Sequence, residues 1–323
     1  MRTTPSAHRI TLVAITLAAL IIGLSGCIGR ADLSDRADEI EAALSALPGV
    51  EKISGEYQNG FDSGRRLVYR VDMAPGATDG DLVNVAETLN SEAGDDFVNF
   101  ERDLTLRLPH ISVALNGKPD IGQLRQQLPR LRSLTSALSA ETLSWEANND
   151  NDLDDSLTIR DSDGDAFTVL SAVRDVFGSQ QMRVNYGNSG TSAWEVEFPY
   201  SLQAQNTLAA ALHSGTREMN KIEIDDDHVT FASARLTTEA NATTKLTTLI
   251  DQINGGTSEP WRFTWLAEQP GGRQNNKTPG GTVSVGACTY DMKSNSEREP
   301  ARFLTSNALK IQDTLRAKYD TCP

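Results

Sequence analysis

The sequence has little of what metal sites and nucleic-acid interfaces need. Among 323 residues there are only 3 Cys and 4 His, and 30 Lys and Arg stand against 44 Asp and Glu. Zinc sites use closely spaced Cys and His ligands, and no HxxxH, HExxH or CxxC occurs. Nucleic-acid binding depends on clustered cations, which a chain of formal net charge -14 lacks. The composition therefore excludes a nucleic-acid partner and predicts no cofactor.

Aromatic residues and long apolar runs are also scarce. Aromatics make up 6% of the chain and all hydrophobic residues 38%, which excludes a protein with many membrane spans. The length allows one large domain or two to three small ones, with enough residues for a buried core. The only long apolar run lies at the beginning of the chain.

That first segment has the order of a signal peptide. Arg2 and Arg9 precede the apolar run 10–22, and no charge follows until Arg30. A basic segment followed by a hydrophobic one is typical of exported proteins. The run ends in Leu24-Ser25-Gly26-Cys27, where small residues fill the two positions before a cysteine.

This ending resembles the lipobox of bacterial lipoproteins. The resemblance implies that the Cys27 thiol carries diacylglycerol, that signal peptidase II removes residues 1–26, and that acyl chains such as palmitate hold the protein at the membrane. Residues 1–26 contain two basic and no acidic side chains, so the net charge falls from -14 to -16. The alternative is an uncleaved anchor, since the uncharged stretch 10–29 has about the 20 residues that span a bilayer. Both interpretations place the body at the extracytoplasmic face of the cell membrane, because the positive flank stays inside.

The two remaining cysteines, Cys288 and Cys322, form an even pair in an oxidising compartment. We predict a disulfide between them. It would close a loop of about 35 residues and contribute roughly 3.5–4 kcal/mol in the chain-entropy model. The alternative is a pair of free thiols.

Helical and strand periodicities alternate along the body, which predicts an α+β protein built from two or more small sheet-plus-helix modules. One strand is predicted to run from Leu104 past Pro109 to Leu115. We assign no family to the body. The predicted units are a tether at 27–33, an αββαβ module at 34–117, a second αββαβ module at 118–190, a ferredoxin-like βαββαβ module at 191–268, and a loop, last strand and C-terminal helix at 269–323.

An acidic run at 161–165 offers the first three ligand positions of a calcium loop through Asp161, Asp163 and Asp165. The remaining positions do not fit an EF-hand. Ala166 replaces the turn glycine, and Ala172 stands where a bidentate Glu belongs. We therefore predict a turn followed by a helix cap, with a weak surface Ca²⁺ site as the alternative.

Trp261, Phe263 and Trp265 alternate along one predicted strand and therefore share one of its sides. Such a stripe is typical of core packing, because aromatics are few and must fill the interior. The alternative is an exposed platform for a sugar or another apolar ligand.

No catalytic motif stands out. The chain has no Gly-x-Ser-x-Gly elbow and no phosphate-binding GxxxxGK[ST] motif, and its His residues are scattered. The favoured hypothesis is a non-catalytic module that binds a protein or another envelope component. The alternatives are a small-ligand-binding or transport-associated lipoprotein and an envelope hydrolase.

Replacing the anchor residue tests the lipobox. We expect Cys27→Ala to abolish incorporation of an alkyne-labelled fatty acid and to leave the precursor uncleaved, because the thiol is the site of lipid attachment. Gel fluorescence and the intact mass of the membrane-extracted protein measure both effects. Ser25→Ala, which keeps a small residue before the cysteine, is the matched control, and undiminished labelling of Cys27→Ala would contradict the assignment.

Overall fold

The body is a mixed α and β structure, as predicted. The computed structural model describes residues 32–60, 64–140, 142–148, 155–162, 164–187, 193–212, 218–254, 259–268, 277–287 and 295–321. Helices and strands alternate through all of these ranges, which confirms the α+β class.

The helices and strands are numbered here in chain order. The helices are α1 Ser34–Ser45, α2 Asp79–Ala93, α3 Ile121–Leu138, α4 Ala166–Phe177, α5 Leu202–Ala211, α6 Ala242–Asn254, α7 Asn295–Arg298, α8 Pro300–Phe303 and α9 Ser306–Tyr319. The strands are β1 Val50–Gly60, β2 Gly64–Met73, β3 Glu101–Arg107, β4 Ile111–Asn116, β5 Thr142–Asn148, β6 Ser156–Arg160, β7 Met182–Gly187, β8 Ala193–Phe198, β9 Met219–Asp225, β10 His228–Leu236, β11 Trp261–Ala267 and β12 Gly280–Val285.

Within the described ranges, twelve strands form one sheet in which the spatial order equals the chain order. Strands joined by a short turn pair antiparallel, as β1 does with β2. Strands joined through a helix pair parallel, as β2 does with β3 across α2. The same unit, a helix followed by a hairpin, therefore occurs six times from α1 to β12, and α9 follows the last hairpin.

The expected division into separate small modules is therefore wrong. The segment predicted as one strand past Pro109 is two antiparallel strands, β3 and β4, in which Arg107 pairs with Ser112. The Leu108 amide donates to the Ile111 carbonyl at 2.8 Å across the turn. Proline cannot donate to a ladder, and here the chain reverses at it. The predicted αββαβ module at 34–117 therefore contains two αββ units, and the hairpin of the second unit had been predicted as a single strand.

The ferredoxin-like arrangement over 191–268 is also wrong, although the element order βαββαβ is present. A split βαβ unit places another strand between its two parallel strands. Here β8 pairs directly with β9, and β10 pairs directly with β11. The predicted boundary at 190 falls inside a hairpin, because β7 and β8 pair antiparallel.

The helices form a second layer on one face of the sheet. Consecutive helices from α1 to α6 contact each other, and α9 contacts α6 and β12. Their apolar faces meet the inward residues of the strands in one continuous core, in which Leu104, Leu143 and Trp145 are fully buried. Side-chain hydroxyl or carboxylate caps begin α2, α3, α4, α5 and α9. Asp165 accepts from the Thr168 amide at 2.8 Å at the start of α4, for example.

The C-terminal segment covers the β12 edge of the sheet. The Thr278 amide donates to the Phe303 carbonyl at 2.7 Å, and the Thr305 amide donates to the Thr278 carbonyl at 3.1 Å. The buried carboxylate of Glu297 pairs with Arg262 of β11. In the portion of the chain that the structure covers, no helix combines the length and the apolar composition needed to cross a membrane.

Trp145 provides a test of the core. Trp145→Ala removes a fully buried indole, and we expect it to lower the free energy of unfolding by about 3–5 kcal/mol. Trp145→Phe keeps most of the volume and removes an indole N–H without a partner among the described residues, so we expect a loss of about 1–2 kcal/mol. Urea unfolding measures both, and equal losses would contradict the packing.

Candidate functional site

The face of the sheet opposite the helices is the largest candidate surface; we call it the open face. Strand residues alternate between the two faces, so Leu143, Trp145 and Ala147 of β5 are buried under helices while Ser144 and Glu146 point the other way. Eleven spacings of about 4.8 Å make the sheet about 53 Å wide.

Charge on the open face is balanced, in contrast to the chain as a whole. Following the alternation of burial along the strands, nine basic and nine acidic side chains lie on this face. The basic ones are Lys52, Arg66, Arg70, Arg107, Arg160, Arg183, Lys221, Arg235 and Arg262, and the acidic ones are Glu56, Asp72, Glu101, Asp103, Glu146, Glu195, Glu197, Glu223 and Asp225. The net charge of -14 is therefore carried elsewhere.

One group of charges spans β2 and β3. Arg66 bridges Glu101 at 3.1 Å and Asp103 at 3.0 Å. These contacts raise the pKa of Arg66, mainly through its hydrogen bond with Asp103. Because parallel strands bring these residues together from positions 35 or more apart, the cluster depends on the tertiary fold.

A second group spans β7, β8 and β9. Lys221 lies 2.7 Å from Glu195 and 2.5 Å from Glu223, and Arg183 lies 3.5 Å from Glu195. Burial lowers the pKa of Lys221, but the hydrogen bonds with Glu195 and Glu223 outweigh it, so that pKa is raised overall. The ammonium therefore stays charged.

Glu197 has competing neighbours in the same group. Its hydrogen bond with Arg183 at 3.1 Å favours the carboxylate form. Partial burial and the adjacent carboxyl group of Asp225 act in the opposite direction and together outweigh it, so the pKa of Glu197 is raised. Like charges that share a site disfavour ionisation of one of them.

Between the two groups lies an uncharged row. Ser112 of β4 pairs with Ser144 of β5, Ser144 with Thr158 of β6, and Thr158 with Asn185 of β7. Four short polar side chains therefore lie side by side across four strands. One uncharged row thus crosses the central strands of the open face, which also carry Glu146 and Arg160, and depletion of charge at the centre is a feature of protein interfaces.

A groove of about 450 Å³ lies on the open face over β9, β10 and β11. Phe231 and Leu266 give it apolar walls, and Leu266 is 39% exposed. Its charged lining residues are Lys221 and Arg235. A second cavity of about 270 Å³ lies near the end of β2, beside Pro109 and His110.

The calcium alternative gains no support. Asp165 is the N-cap of α4, as the turn-and-cap interpretation predicts, and Asp161 has a positive φ of 51°. Asp163 lies outside the described residues, as do Cys27, Cys288 and Cys322. Among the residues that are described, no group of three or more His, Cys, Asp or Glu side chains is placed to hold a metal ion.

The three aromatic residues of β11 belong to the core. Trp261, Phe263 and Trp265 share one side of the strand, as predicted, but each is at most 3% exposed because that side lies under helices. Trp265 lies over Gly281, where a Cβ would come within 2.8 Å of its Nε1. The structure therefore places these rings in the core, and Trp265 also contributes to the lining of the groove over β9, β10 and β11.

Comparison with known proteins identifies no relative. No protein-family model matches the chain, and no curated protein or solved structure matches it at a significant level. The architecture itself defines the class: a two-layer protein of αββ repeats with one uncovered sheet face.

Sequence reasoning missed both the open-face charge groups and the groove. The alternation of charged with apolar residues in β8 and β9 shows which side chains face solvent. It does not show that Glu195 lies beside Lys221, because strand order was unknown. Phe231 gave no signal, since a single aromatic residue in a strand is usually buried.

The pKa of Glu197 on β8, which lies beside Asp225 on β9, should shift in opposite directions in two variants. Asp225→Asn should lower the pKa of Glu197, because it removes a like charge, whereas Arg183→Gln should raise it, because it removes a cation. Side-chain carbonyl NMR titration measures both shifts. Asp72→Asn, at the far end of the sheet, is the control, and shifts of equal sign would contradict the geometry.

Proposed function

We propose that this protein is a lipid-anchored, extracytoplasmic binding protein whose open face contacts a partner protein of the cell envelope. The observation that carries the proposal is the uncovered, charge-balanced face of a sheet about 53 Å wide. The lipobox at Cys27 supports the anchor, and the face supports the binding activity.

Charge balance makes the open face the suitable contact surface. A partner approaching the remainder of this acidic chain meets an excess of carboxylates, which repels other acidic proteins. On the open face each charge group contains its own counterions, as Arg66 does with Glu101 and Asp103. Partners can therefore approach this face without net repulsion. Desolvating the uncharged row from Ser112 to Asn185 costs less free energy than desolvating charged side chains would.

The anchor would hold the β1 end of the sheet close to the membrane. Five residues separate Cys27 from Leu33, and the six extended steps between them span at most about 22 Å. The Leu33 amide donates to the Tyr57 hydroxyl of β1 at 2.9 Å, so the first described residues lie against the first hairpin. The partner is therefore a membrane-associated or surface-exposed protein.

A second candidate function is binding of a small anionic ligand with an apolar part. The groove that combines Phe231 and Leu266 with Lys221 and Arg235 favours it. Lys221 is already neutralised by two carboxylates, however, which leaves Arg235 as the main recognition charge. Partner binding over the whole face accounts for more of the surface.

Site-specific photocrosslinking in intact cells tests the proposal. We expect p-benzoylphenylalanine at position 144, in the centre of the open face, to yield a discrete protein adduct because a partner covers this row. Position 126, exposed on the outer side of α3, is the matched control and should yield none. Adducts at 126 alone would place the partner on the helical layer and refute the proposal. In a second experiment, with the photocrosslinker at position 185, Ser144→Arg should reduce the yield of the adduct.

A further inference from the structure

The two edges of the sheet, β12 and β1, differ in how far other parts of the chain cover them. At the β12 edge, α9 occupies the backbone groups of Thr282, whose amide donates to the Gln312 side-chain carbonyl at 2.9 Å and whose carbonyl accepts from Arg316 at 3.1 Å. At the other end, no strand among the described residues pairs with the outer edge of β1. β1 has 11 residues, or about 35 Å, and is the longest strand of the described sheet. Natural proteins usually keep edge strands short, because unpaired N–H and C=O groups invite another strand.

β1 also leaves its apolar side chains incompletely covered. In inner strands the helix-facing residues are fully buried, as Leu104 and Leu106 of β3 are. The helix-facing residues Ile53 and Tyr57 of β1 pack against the same core but stay partly exposed. A register shift beside Lys52 interrupts pairing at the start of the strand, and the ladder is regular from Ile53 to Gly60. Residues 53–58 of this regular part therefore offer both backbone groups and apolar contacts.

Helix α1 packs over the β1 edge of the sheet and carries acidic side chains. α1 packs on β1, whereas the inner helix α3 contacts both β4 and β5. The Glu41 carboxylate lies directly over Gly55 of β1. Among the described residues, neither Glu41 nor Asp38 has a cation within ion-pair distance, since Arg36 pairs with Glu39 and Glu92. A cation that entered beneath α1 would meet both unpaired carboxylates.

The pKa of Tyr69 is affected by the same two carboxylates, Glu41 and Asp38. Burial raises the pKa of its hydroxyl, and the charges of Glu41 and Asp38 raise it further. The hydroxyl donates to the Ala37 carbonyl at 2.7 Å, so its proton is not shared with these carboxylates. Asp38 and Glu41 are three residues apart on α1 and therefore neighbours on one side of the helix.

We propose that β1 is a strand-addition site for an extended segment of a partner protein, which pairs along residues 53–58 with apolar side chains toward α1 and a Lys or Arg opposite Gly55. Backbone pairing would supply affinity, and alternate side chains would supply specificity. The position of α1 disfavours a second copy, because two chains paired through β1 would bring two α1 helices over one junction. The proposal is independent of the open face and of the lipid anchor.

Two synthetic peptides test the site on the full body without residues 1–26. The probe acetyl-Thr-Val-Thr-Lys-Thr-Val-Thr-amide places Val, Lys and Val on one side, and the matched peptide carries Glu in place of Lys. We expect the Lys peptide to bind about tenfold more tightly, because its ammonium meets the Glu41 carboxylate. Glu41→Lys should reverse this preference, and Asp313→Lys on α9, the control, should leave it unchanged.

Hydrogen exchange distinguishes strand addition from simple charge contact. On peptide binding, new protection should appear in the amides of residues 53–58 and not on the open face. The proposal is overturned if neither peptide binds at millimolar concentration, if Glu41→Lys leaves the preference unchanged, or if protection lies elsewhere. Concentration-dependent protection of β1 without peptide would identify a second copy as the occupant and would also overturn it. Ser144→Arg should leave peptide binding intact, so this test fails or succeeds separately from that of the open face.

Discussion

The architecture depends on a match between the width of a helix and the width of two strands. Packed helix axes lie about 8–10 Å apart, and two strands occupy about 9.6 Å of a sheet. One helix per hairpin therefore keeps the two layers in step, and each αββ unit can be followed by another without a gap in either layer. Each helix also hides its apolar face only if neighbouring units are present, which is why the core runs through all of them.

This constraint explains the two distinctive surfaces. Because one helix per hairpin connects the strands on a single face, the opposite face has no helix layer of its own among the described residues, except near β11 and β12, where the buried Glu297 pairs with Arg262. The repeat also has two ends, where a strand and its apolar side chains lack a neighbour. At the β12 end Thr278 and Arg262 are engaged by the C-terminal segment, whereas at the β1 end Ile53 and Tyr57 are only partly covered. The two surfaces suit different contacts, because the open face is broad and the β1 edge fits a single extended segment.

Much of the secondary structure was predictable. The helical spacing over 121–138 predicted α3, and the alternation of Trp261, Phe263 and Trp265 predicted β11 and its buried side. The turn at Pro109 was missed because apolar residues alternate on both sides of it, so that two strands had the pattern of one. Because this turn was missed, β3 and β4 were predicted as one strand, and the αββ repeat was not recognised.

The sequence by itself determined the acidity of the body, the α+β class and the side of each strand that is buried, because these follow from local composition and from periodicities of two and 3.6 residues. Only the tertiary structure decided that the twelve described strands form one sheet in chain order. It also decided that Lys221 lies between Glu195 and Glu223, and that Glu41 stands over Gly55 without a cation. Strand order and cross-strand neighbours arise from pairing between distant segments, and local periodicity carries no information about which segments pair.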